Sequence, residues 1–127
     1  QKFDQAINHF EQAIVLDPLN AKTYNNLGLV YYRQGKHKKA ISKLETAISL
    51  NPNFVKAYII LGRALINSGK INEAKKNFEK VLEIQPNQKE SSYFLAMLNG
   101  ETPNKPPREY VESLFDGYAF CPFCLKF

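Results

Sequence analysis

Two cysteines in a C-x-x-C arrangement, Cys121-Pro122-Phe123-Cys124, and two histidines, His9 and His37, are the thiol and imidazole groups of this 127-residue chain. A cysteine pair at this spacing holds structural zinc when two further ligands complete a tetrahedron. It runs redox chemistry when a helix N-terminus lowers the pKa of one thiol. His9 and His37 lie in helix-patterned stretches at the wrong spacing to complete a zinc site, and no βαβ pattern surrounds the cysteines. Both sulfurs are expected to stay reduced, since no secretory leader is visible. No Gly-x-Gly-x-x-Gly or similar phosphate-cradling loop occurs. Neither histidine has a Ser or Cys partner at a plausible site, and both are expected to face solvent. The chain is therefore expected to be no enzyme, with no cofactor and no metal.

The remaining chemistry is charge. The net charge is +5, and it is unevenly placed: residues 1–99 carry 14 Lys/Arg against 8 Asp/Glu, whereas residues 100–127 carry 3 against 4. A basic domain attracts phosphate or carboxylate, but no nucleic-acid motif accompanies these cations. Lys38, Lys39, Lys43, Lys75, Lys76 and Lys80 fall at helix positions expected to face water, so no nucleic-acid partner is expected. No apolar run approaches the ~18 residues of a membrane span, so no membrane partner is expected and the chain is read as cytoplasmic.

What positions these groups is a period. Slid by 34 residues, Ala21-Lys22-Thr23-Tyr24-Asn25-Asn26-Leu27-Gly28 lies over Val55-Lys56-Ala57-Tyr58-Ile59-Ile60-Leu61-Gly62. Gly35, Ala40, Leu44 and Pro52 likewise lie over Gly69, Ala74, Phe78 and Pro86. A fixed period of this length marks a stacked-repeat protein. Within each unit the apolar residues Tyr24, Leu27, Gly28 and Tyr31, then Ala40, Leu44, Ala47 and Ile48, recur in steps of three and four, so each repeat is a pair of amphipathic helices. Gly35 and Gly69 stand where the first helix must stop, and Asn51-Pro52 and Gln85-Pro86 close the second. Gly28 and Gly62 with Ala40 and Ala74 would let the two helices approach closely. Two full repeats, 21–54 and 55–88, are preceded by a half repeat, 1–20, and followed by a capping helix, 89–99. The half repeat leaves Ile7, Phe10 and Ile14 without their partner helix, so self-association through that edge is expected and the chain is read as a fragment.

These residues resemble the tetratricopeptide repeat (TPR), with Tyr24, Leu27, Gly28, Tyr31, Ala40, Leu44, Ala47 and Pro52 in one unit and Tyr58, Leu61, Gly62, Leu65, Ala74, Phe78, Val81 and Pro86 in the next. The resemblance implies an all-α fold, helical hairpins stacked as a right-handed superhelix, an α-solenoid whose first helices line a concave face. It further implies a protein or peptide partner, acidic in character, bound by the concave positions that packing leaves over: Lys22, Asn25, Asn26, Leu29, Arg33, Lys56 and Arg63. Asn26 stands where the family's asparagine contacts ligand main chain, and the four cations would meet carboxylates. Ile59, Ile60 and Ile66 share this face, either as apolar contacts for a ligand or as packing against neighbouring helices.

From residue 100 the composition changes. Pro103, Pro106 and Pro107 favour an extended linker over 100–108, and Tyr110, Val111, Leu114 and Phe115 mark a short amphipathic helix within 109–127. Residues 102–119 resemble the junction at which such repeats lead into an S-adenosylmethionine-dependent methyltransferase domain. That resemblance implies a regulatory or substrate-recruiting arm of such an enzyme, the catalytic part being absent from this chain.

Overall fold

The computed structural model describes residues 2–101. Six helices run through them with no strand: α1 (Lys2–Leu16), α2 (Ala21–Arg33), α3 (His37–Leu50), α4 (Val55–Asn67), α5 (Ile71–Ile84) and α6 (Lys89–Leu98). Each packs on its neighbours in the chain, and α2 also touches α4 across the repeat boundary. The fold is an all-α solenoid of helical hairpins. The expected linker, C-terminal helix, methyltransferase junction and Cys121/Cys124 pair all lie outside the described residues.

The helix ends follow from local chemistry. Asn20 caps α2, its side-chain oxygen accepting from the Lys22 amide at 3.0 Å. Gln88 does the same for α6, accepting from the Ser91 amide at 2.6 Å. At the other end, Gly35 and Gly69 each adopt φ +79°, a conformation that costs glycine little. There the Lys36 amide reaches the Tyr31 carbonyl at 2.9 Å and the Lys70 amide reaches the Leu65 carbonyl at 2.8 Å, which satisfies carbonyls the helices leave open. Gly100 ends α6 in the same way at φ +85°, and the Glu101 amide bonds the Ala96 carbonyl at 2.9 Å. That stop falls three residues short of the position equivalent to Gly69, so α6 has 10 residues where α4 has 13.

Packing inside each hairpin sets the helices close together. A Cβ placed on Gly62 would lie 2.6 Å from Phe78 Cζ, and one on Gly28 would lie 2.7 Å from Leu44 Cγ. The small residue is thus needed opposite a large one on the second helix. Leu27, Ala40, Leu44, Ala47, Ala74, Phe78 and Val81 are fully buried, and the Phe78 ring stacks on Phe94 of α6 with centroids 5.1 Å apart and planes 8° from parallel. Through this stack α6 covers the end of the second hairpin.

At the opposite end, α1 has no fully buried residue. Ile7, Phe10 and Ile14, expected to lack a partner, are half-buried and pack on the shared core. Among the described residues, the large apolar groups that do stand in solvent are Val15, Leu16 and Leu19. On the second helices, Lys38, Lys39 and Lys76 are exposed, while Lys43, Lys75 and Lys80 are partly covered. The Lys39 ammonium lies 5.6 Å from the centre of the Tyr31 ring.

Candidate functional site

The helices α2 and α4 lie side by side, and their outward positions form one wall-to-wall groove of about 600 Å³, closed at one end by the first turn of α6. All seven residues singled out from the sequence line it, together with Phe54, Ile59, Ile60, Gln88 and Glu90. The reason is the period itself. Residues 34 apart occupy the same position on successive parallel helices, so variable positions that seem scattered in sequence become one strip.

The seven differ in availability. Lys22, Asn26 and Lys56 are exposed, and Leu29 and Arg33 are half-buried. Asn25 is buried, at 6% exposure, and its Oδ1 has no hydrogen-bond partner. A buried amide oxygen left this way costs about 1–3 kcal/mol.

Arg63 departs from the expectation that it offers its guanidinium to a ligand. Its side chain is 8% accessible, and Nη1 lies 3.3 Å from Glu90 Oε2 of α6, itself 9% accessible. The guanidinium also lies over the Tyr32 ring, 5.3 Å from its centre. Burial explains the pairing, because an ion taken out of water needs a counter-ion close by. Glu90 is not among the positions the sequence singles out, although it stands 34 residues after Lys56 and 68 after Lys22. Ile59, Ile60 and Ile66 are buried too, so they serve packing, while the first two also show an edge to the groove.

His37 also departs from expectation. His9 is exposed, but His37 is partly covered against the Tyr32 ring, with centroids 5.9 Å apart, and its Nδ1 is buried without a hydrogen-bond partner. Burial pushes its pKa below 6.5. The folded chain therefore binds this proton less readily than the unfolded chain, so His37 favours folding above pH 6.5 and that contribution is lost as the pH falls through the folded pKa. We expect the melting temperature to fall between neutral and mildly acid pH. His37→Gln should flatten that dependence in a thermal melt series; an unchanged slope would count against the assignment.

Among the described residues no cluster of His, Cys, Asp and Glu could hold a metal ion, and no helix is long and apolar enough to cross a membrane. The groove offers amides, cations and apolar edges, which suit binding.

Family models described as TPR repeat and tetratricopeptide repeat match residues 1–35, 21–54 and 55–88. The first TPR of Spaghetti (RPAP3), solved bound to the HSP90 peptide SRMEEVD, is 34% identical with a TM-score of 0.76, the alignment covering 78% of this chain and 79% of that one. The chain belongs to the tetratricopeptide-repeat family. The second TPR domain of human RPAP3, solved in complex with the HSP70 peptide SGPTIEEVD, is 32% identical with a TM-score of 0.73, covering 77% of this TPR chain and 82% of its own. MamA is 26% identical with a TM-score of 0.75, and the match covers 77% of this chain and 57% of that one. No curated protein matches the chain significantly. With such relatives, this TPR chain is a protein-interaction module.

Proposed function

We propose that the concave groove binds an extended, acidic segment of another protein. The observation that carries this reading is the grouping of Lys22, Arg33 and Lys56 with Asn25, Asn26 and Leu29 in one groove. Carboxylates of the ligand meet the three cations in charge-assisted hydrogen bonds. The exposed Asn26 takes up main-chain groups, and Leu29, Ile59 and Ile60 give the ligand an apolar floor. The RPAP3 domains that resemble the chain were solved with peptides ending in Glu-Glu-Val-Asp, which supports an acidic ligand without naming this chain's own partner. Titrating fluorescein-labelled SRMEEVD into the chain, with anisotropy as the readout, tests the class. Binding that weakens as salt is raised supports it, and no binding at low salt sinks it.

The same chain is expected to associate with itself weakly at the end of α1 and the turn that follows it, where Val15, Leu16 and Leu19 present apolar surface to water. Light scattering on a concentration series should show mass rising above the monomer, and Leu16→Gln with Leu19→Gln should abolish the rise. A wild-type mass that stays monomeric throughout would refute it. The reading as an arm of a methyltransferase rests on the resemblance of residues 102–119 alone.

A further inference from the structure

The groove repeats one position on three successive helices, 34 residues apart, and the side chains there are Lys22, Lys56 and Glu90. The sign therefore inverts at the third rung. Glu90 does not stand in open water: it is buried and held 3.3 Å from the Arg63 guanidinium, which lies on the Tyr32 ring. The pair removes one cation from the groove and adds no net charge of its own. Among the residues that line the groove, the available positive charge is thus confined to Lys22, Arg33 and Lys56.

We infer that Glu90 is a specificity-determining residue, an internal carboxylate that takes the place on Arg63 which a ligand's second acidic cluster would otherwise occupy. This deepens the groove-binding reading and rests on it. A ligand gains from acidic residues over α2 and the start of α4. It gains nothing from further acidic residues extending toward α6, because Arg63 is already engaged and a second carboxylate beside Glu90 would meet like charge in a site that water does not screen. The groove accordingly rewards one compact acidic cluster and gives a uniformly acidic chain no further gain.

The test uses two labelled ten-residue peptides, one carrying a single Glu-Glu pair and the other carrying a second such pair about three residues further on, the step that spans one helix spacing of ~8–10 Å in an extended chain. On the wild-type chain the two should bind with nearly equal affinity. On Glu90→Gln, whose amide oxygen can still accept from Arg63, the two-pair peptide should gain about three- to tenfold over the single-pair peptide. The double variant Arg63→Met with Glu90→Met removes both charges, and should return the ratio to the wild-type value while keeping both affinities. This variant also keeps the inference testable if Glu90→Gln does not fold, which circular dichroism will show. A strut that merely ties α6 to α4 would shift both peptides together, so an unchanged ratio on Glu90→Gln overturns the inference, as does a wild-type chain that already prefers the two-pair peptide, or a double variant with altered affinities. If the wild type binds neither peptide, the groove reading itself fails and this inference falls with it. If it binds the single-pair peptide and only the ratios disagree, the groove reading stands and Glu90 alone loses its role.

Discussion

Truncating Phe78 to Ala is expected to lower the unfolding free energy by about 3–5 kcal/mol, the usual range for removing a buried aromatic ring. Phe78 is fully buried, fills the space that Gly62 leaves on α4 and stacks on Phe94 of α6. One ring thus joins three helices, and the loss has no easy remedy. Glycine has no side chain to move inward, and Phe94 is itself fully buried and fixed by its neighbours. Against the ~5–15 kcal/mol typical of folded domains, this is a large fraction. Urea denaturation followed by circular dichroism measures it. The exposed neighbour Glu79→Ala serves as control and should stay within about 0.5 kcal/mol of wild type. A Phe78→Ala midpoint equal to the control would mean that α5 and α6 do not share a core.

Reversing Lys22 and Lys56 together, Lys22→Glu with Lys56→Glu, is expected to weaken binding of the acidic peptide SRMEEVD by about 2 kcal/mol, roughly thirtyfold. Each exposed ion pair contributes only ~0.2–1 kcal/mol, but a reversal exchanges an attraction for a repulsion, and two sites act on one ligand. Both side chains are exposed, so the fold should be untouched, and the melting temperature checks this. The effect should shrink at high salt, because charges separated by more than the ~10 Å Debye length at 0.1 M are screened. Affinity that survives the double reversal at low salt would move the binding site elsewhere. The same reversal at Arg63 would be a poor test, since it would place two carboxylates in one buried site.

Several features were legible because they are local or periodic. Gly35 and Gly69 could be read as helix stops, since few residues other than glycine tolerate the left-handed conformation that a Schellman end demands. Gly28 and Gly62 are legible as points of close approach: a Cβ on Gly28 would meet Leu44 and, at 3.4 Å, the Ala40 carbonyl, and one on Gly62 would meet the Phe78 ring. The capping helix expected over 89–99 matches α6, which stops at Leu98 before Gly100 because a local glycine overrides a register that points three residues further on. The pattern position of His37 is polar and points to solvent, and nothing in the local sequence shows that the Tyr32 ring lies against it.

The sequence by itself determined the helices, their ends, the hairpin packing and the strip of positions that becomes the groove. All of these follow from a 34-residue period and from the conformational limits of glycine and proline, which act over a few residues. Only the tertiary structure decided which cations of the groove remain available. Arg63 and Glu90 lie 27 residues apart on different helices, and their pairing depends on how deeply α6 seats over α4. Burial there makes an unpaired ion costly and so draws the two together. Lys22 and Lys56 stand in water and carry no such constraint.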